Sequence, residues 1–335
     1  MSALAPRGEA DDLARFRRLT GVTIAATFIL ILIGGIVRVS DSGLGCGPAD
    51  SGTHGWPLCE GGLLPAASAE SVIEYSHRVS AAVVGVLILV LAWRAWRTLR
   101  PHTRLVRGTI GAGVLVLAQA GLGGLTVEEG LHEYLVAAHL GLAMVLLGVL
   151  IALHRLASPA TPRTPSSRSL RATTGVASVL VLATIVAGGL VAGTEGEGTP
   201  NEPVLGAHTA CGEQFPACLD RFMPFGIDRL VDIQLTHRLF MYLAALAVLA
   251  MTALALRQGV RRPAFWLASV LLVAQIALGA ANVLLGKHAG LIAAHLMLGT
   301  ALWGVVVAAA SSLLPASAPA EEGLGTTRNP SPAAA

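Results

Sequence analysis

The sequence predicts an all-α integral membrane protein of eight transmembrane helices, arranged as two tandem, parallel-repeat four-helix bundles. Three observations lead there. Of 335 residues, 54% are hydrophobic and only 13% charged, with mean hydropathy +0.68, which is too little polar surface for a soluble domain. Eight runs reach the length of about 20 apolar residues that a bilayer demands. The last four runs repeat the first four.

In order, the spans are expected at 19–39, 75–95, 106–127, 134–154, 172–193, 233–256, 263–285 and 290–314. Basic residues orient them. Arg7, Arg15, Arg17 and Arg18 precede the first span; Arg94, Arg97, Arg100, Arg104 and Arg107 surround the second loop. Arg155, Arg163, Arg168 and Arg171 flank the fourth loop, and Arg257, Arg261 and Arg262 fill the sixth. These segments and both termini are expected in the cytoplasm. The acidic residues Asp41, Asp50, Glu128, Glu129, Glu195, Glu197 and Glu202 belong to loops facing outward. Such arginines are topology signals, so no nucleic-acid partner is expected; the surroundings are membrane lipid. The first 18 residues are too polar for a cleaved signal peptide and form a cytoplasmic tail, with 1–15 and 315–335 reading as disordered. A Pro/Ser/Thr-rich linker, 157–171, separates an N-terminal half, 19–156, from a C-terminal half, 172–314.

An offset of 156 aligns Ala118, Gln119, Leu122, Gly123, Val127, Gly130, His132, Leu135, Ala137, Ala138 and His139 with Ala274, Gln275, Leu278, Gly279, Val283, Gly286, His288, Leu291, Ala293, Ala294 and His295. Likewise 77-HR-78 answers 237-HR-238, and 34-GGIV-37 answers 188-GGLV-191. Each half has an even number of spans, so the repeat is parallel and equivalent residues share a depth. His77, His139, His237 and His295 therefore lie within about two turns of the outer ends of the even-numbered spans.

A single histidine in a span can simply hydrogen-bond a neighbouring helix. Two per half, one on each of two helices, instead suggest bis-imidazole haem sites. Zinc would need more protein ligands than this depth offers. Gly34, Gly35, Gly121, Gly123, Gly124, Gly188, Gly189 and Gly279 read as ordinary small-residue packing.

The halves differ where chemistry would act. In 74-EYSH-77, Glu74 shares a helical face with His77, whereas 234-QLTH-237 has Gln234, which cannot ionise. A carboxylate there is costly unless used or paired. Proton-coupled chemistry is thus expected in the first half, the alternative being a pairing of Glu74 with Arg38 or Arg78. Arg38, matched by Ala192 in the second half, either binds a haem propionate or snorkels to the interface. Arg78 and Arg238 are the symmetric propionate candidates. His132 and His288 read as capping or interfacial residues; His54, His102, His154 and His208 receive no role.

Four cysteines fall in outward loops, and the repeat favours disulfides Cys46–Cys59 and Cys211–Cys218, either structural or redox-active.

The stretches 34-GGIVRVSDSGLGC-46, 56-WPLCEG-61, 74-EYSHR-78, 137-AAHLG-141, 237-HR-238 and 293-AAHL-296 resemble the heme A synthase family over residues 19–314. The resemblance implies an oxidoreductase that converts the C8 methyl of haem O to the formyl group of haem A for terminal oxidases, with water as oxygen source. It implies substrate haem O between His77 and His139, a permanent haem b between His237 and His295 relaying electrons, and Glu74 as the acidic residue beside the substrate. Implied partners are haem O synthase and an unidentified electron acceptor, and a homo-oligomer is compatible. The run 47-GPADSGTHGWPL-58 is longer than the family's usual Cys-to-Cys spacing. Two other classes remain at this point: a dihaem b-type cytochrome that only carries electrons, and a membrane thiol-disulfide exchange protein. A haem chaperone would return haem O unchanged.

Overall fold

The structure, a computed structural model, describes residues 7–159, 167–195, 206–286 and 288–313. The tail 315–335, the centre of the 157–171 linker, and Glu197 and Glu202 lie outside the described residues.

Eight helices form in chain order: α1 Arg7–Val39, α2 Ala69–Thr98, α3 Thr103–Glu128, α4 Glu133–Leu156, α5 Arg168–Gly193, α6 Arg229–Arg257, α7 Pro263–Leu284 and α8 Ala289–Ser312. All eight are long and apolar enough to cross a bilayer, which makes this a multi-pass membrane protein. The local signals agree with the boundaries. Ser68, Ser167 and Asp228 cap α2, α5 and α6 through side-chain oxygens that accept from Ser71, Leu170 and Leu230 N–H groups, and Pro263 opens α7.

Helix α1 begins twelve residues before the expected span, correcting the expectation of disorder over the described part of the N-terminal tail. Two contacts hold this extension: Phe16 is fully buried in a cluster with Leu91, Leu99 and Leu105, and Glu9 meets His102 Nε2 at 2.8 Å. A polar composition concealed an apolar anchor.

Helices α1 to α4 touch in a ring, α1 to α2, α2 to α3, α3 to α4 and α4 to α1; α5 to α8 repeat the same order. The two rings meet through α4 against α5 and α8, and α1 against α8. Small residues make that seam close: side chains added at Gly141 and Gly189 would run into Val186 and Leu140. Trp303 on α8 crosses it, its indole N–H donating to the Met144 carbonyl at 2.7 Å. Replacing Trp303 with Ala should destabilise the detergent-solubilised protein by about 3–5 kcal/mol, whereas Phe, which loses only the hydrogen bond, should cost about 1 kcal/mol. Thermal-unfolding midpoints of the two variants check this.

Candidate functional site

His77 and His237 each lie eight residues after the first residue of α2 and α6, and His139 and His295 six residues after that of α4 and α8. At about 1.5 Å per residue, each histidine sits roughly 9–12 Å below the helix end that carries the disulfides. Electrostatic interaction links His139 with His77 and His295 with His237, so each ring of helices holds one pair.

Every one of these imidazoles lies edge-on against a glycine of the preceding helix. A Cβ added at Gly34 would be 3.0 Å from His77 Cε1, at Gly123 3.1 Å from His139, at Gly188 3.0 Å from His237 and at Gly279 2.9 Å from His295. Carbon atoms prefer about 3.5–4.0 Å. These four glycines are therefore seats for the histidine rings, not general helix packing, which corrects the sequence reading for them. Gly121 is different, with nothing near its missing side chain. The signal was present in the sequence as glycines recurring at repeat positions, but glycine alone does not say what approaches it.

The ring nitrogens are unevenly satisfied. His237 Nδ1 donates to the Thr184 carbonyl at 2.9 Å, while Nδ1 of His77, His139 and His295 is buried with no hydrogen-bond partner. Gln119 and Gln275 brace the backbone beside the second histidine of each pair, their amides donating to the His139 and His295 carbonyls at 2.9 and 3.0 Å. Both glutamines are repeat-identical, a clue the sequence offered and the site reading left unused. His208, given no role from sequence, interacts electrostatically with both His237 and His295.

Glu74 is 3% exposed. Its Oε2 accepts the Cys46 N–H at 2.7 Å, and its Oε1 forms an ion pair with Arg78 one turn on. Arg78 also donates to the Leu58 carbonyl at 2.7 Å. Of the two partners considered for Glu74, the structure selects Arg78; Arg38 reaches away. In the second half, Gln234 occupies the corresponding place, its carbonyl oxygen buried without a partner, and Arg238 donates to the Ala217 and Gln214 carbonyls at 2.8 and 3.0 Å. Arg78 and Arg238 thus both grip the residue preceding a cysteine.

The cysteines are paired as Cys46–Cys59 and Cys211–Cys218, and no described cysteine is free. The longer first loop folds over α3: a Cβ at Gly124 would meet the Trp56 ring at 2.8 Å. Arg38 bridges the halves, donating to the carbonyl of Ala192, its own repeat counterpart, at 3.1 Å and to that of Glu195. It lines a polar cavity of about 340 Å³ with Glu129, His132, Glu133, Thr194 and Arg229. His132 caps α4, its Nδ1 accepting the Tyr134 N–H at 3.4 Å.

The sequence model of COX15-CtaA, described as a cytochrome oxidase assembly protein, matches residues 17–307. The chain belongs to the COX15-CtaA family. A heme A synthase of Symbiobacterium thermophilum is 31% identical over 314 residues, covering 87% of this chain and 94% of that protein. A heme A synthase of Shouchella clausii is 28% identical over 70% of this chain and 74% of its own length. With the heme A synthase of Bacillus pumilus the identity is 35%, but over only 38% of this chain and 40% of the relative. The match thus spans less than half of some relatives and nearly all of another.

The residues fit the haem chemistry this family implies. Among the described residues no group of three or more His, Cys, Asp or Glu is placed to hold a bare metal ion. What exists instead is two imidazole pairs, with Nδ1 of His77, His139 and His295 buried and unpartnered, His237 Nδ1 bonded to Thr184, and the Gln275 amide 3.2 Å from His295 Nε2, each ring seated where a side chain would displace it. His77 with His139, and His237 with His295, would each hold a haem iron through imidazole nitrogens.

Proposed function

We propose that this COX15-CtaA protein is a heme A synthase, oxidising the C8 methyl of haem O to a formyl group. Substrate haem O is held by His77 and His139 in the N-terminal half, 19–156, and a resident haem b by His237 and His295 in the C-terminal half, 172–314. The disulfide end faces outward and both termini lie in the cytoplasm, as the arginine distribution indicates. The observation that carries the reading is the buried Glu74, one turn from His77 and held by Cys46 N–H and Arg78, set against Gln234 in the other half. An electron carrier needs no such difference between its two sites.

Converting methyl to aldehyde with water as oxygen source releases four protons and four electrons. When bound, haem b supplies one-electron transfer toward an acceptor. The chain's own part is positional and acid–base. His77 and His139 orient the porphyrin, and Glu74, whose two oxygens each retain acceptor capacity beyond the bonds described, accepts protons and favours positive charge developing at the methyl carbon. Arg78 and the Cys46 amide keep the carboxylate from swinging away. The disulfides close the loops that these groups grip and act as staples. Haem O synthase supplies the substrate.

The test is mass analysis of haems extracted from protein produced together with a haem O source. Haem b accompanied by hydroxylated or formylated haem is expected; haem b alone at two per chain would replace the synthase by an electron carrier.

A further inference from the structure

Just beyond its second cysteine, the first disulfide loop displays an exposed apolar pair and the second a single exposed phenylalanine. Leu63 and Leu64 are 80% and 75% exposed, and Phe222, at the position equivalent to Leu63 counted from the second cysteine, is 71% exposed. Among the polar neighbours, Glu60 accepts from the Ser71 hydroxyl at 3.2 Å and Asp220 from the Gln214 amide at 2.8 Å, while both carboxylates and Arg221 stay exposed.

Both apolar tips contact a half-buried tyrosine beside an exposed helix face, the Tyr242 hydroxyl itself being buried. On α2, Val72, Val79, Val83 and Val86 are exposed at helical spacing and Tyr75 falls on the same face; its hydroxyl donates to the Leu63 carbonyl at 2.9 Å. On α6 the face is Leu239, Leu243, Leu246 and Leu249, with Tyr242 among them and its ring 6.2 Å from that of Phe222. In a membrane protein these stripes face acyl chains, so the loop tips continue an existing lipid surface.

Depth strengthens the argument. Helix α6 has 29 residues, about 44 Å, against roughly 30 Å of hydrocarbon. Tyr242 is thirteen residues from its start, about 20 Å along the helix, well within the apolar slab. A phenyl ring packed on Tyr242 from outside the bundle shares that environment.

We propose that the two disulfide loops are anchored in the bilayer leaflet at the disulfide end, with Leu63 and Leu64 at its interface and Phe222 among its acyl chains. The partner is phospholipid, bound through apolar contact and not through a headgroup. The anchors would hold the loops down over the histidine pairs, so that Arg78 and Arg238 grip a fixed rim; the lipid contact itself does not depend on the haem reading.

The experiment uses the unmodified protein in vesicles of phosphatidylethanolamine and phosphatidylglycerol doped with phosphatidylcholine carrying a photoactivatable diazirine, placed either near the headgroup or in mid-chain. After illumination, adducts are mapped by peptide mass spectrometry. We expect headgroup-proximal adducts at Leu63 and Leu64 and mid-chain adducts at Phe222, each about tenfold above the polar 50–53 segment, as lipid is largely excluded from aqueous loops. Labelling of Val83 and Leu246 with none above that background at the loop tips would overturn the proposal and assign the tips to water or to another protein.

Discussion

Glu74→Gln is expected to lower conversion of haem O by about 10²–10⁴-fold, the usual worth of a positioned general base, while haem b stays at one per chain. Glutamine is isosteric and still accepts the Cys46 N–H, so the loop contact survives. The ion pair with Arg78 does not, and this side chain is only 15% exposed. Breaking a buried pair from one side costs several kcal/mol, because the abandoned charge remains. Lost activity could then reflect a loosened loop. The double variant Glu74→Gln/Arg78→Gln separates the causes by removing both charges together. Thermal stability that recovers toward wild type while conversion stays low assigns the loss to the carboxylate. Full conversion by a stably folded Glu74→Gln protein would remove the general base from the mechanism. The corresponding change at Gln234, to Ala, should leave conversion within a few-fold if electron relay is that half's task.

The eight helices were legible because hydropathy over about 20 residues is a summed signal that tolerates local exceptions. Their ends were not. The α1 extension is polar by composition and is fixed by single residues, Phe16 and Glu9, whose partners lie near residue 100. The repeat offsets assigned one histidine to each even-numbered helix, but how far each lies below a helix end needed the boundaries, since α2 and α6 begin four to six residues before the expected spans. The partners of Arg78 and Arg238 were hidden for a different reason. Carbonyls of irregular loops carry no residue-type signature, so nothing in 56-WPLCEG-61 announces that Leu58 presents its oxygen to an arginine. Choosing between Arg38 and Arg78 for Glu74 likewise required knowing that Arg38 turns across the seam to Ala192.

Two glycines on one helix offer the sharpest test of the histidine seats. Gly121 and Gly123 both lie in α3, so valine at either imposes a similar backbone change. At Gly121 there is open space; at Gly123 the first added carbon would stand 3.1 Å from His139 Cε1, and the valine methyls would reach further. The ring must then rotate or retreat, carrying its nitrogen out of line with His77. Gly123→Val should weaken haem O binding by about 10- to 100-fold, the scale seen when support for a metal ligand is lost, and Gly121→Val should not. Haem b in the other half should be retained by both variants, whereas Gly279→Val, where the distance to His295 is 2.9 Å, should release it. Absorbance titration of each purified variant with haem O and pyridine haemochromogen analysis of resident haem read these outcomes without requiring turnover. Equal haem O affinity for Gly121→Val and Gly123→Val would mean that His139 can leave its seat on α3 without consequence, and the substrate site would then have to be sought away from the His77–His139 pair.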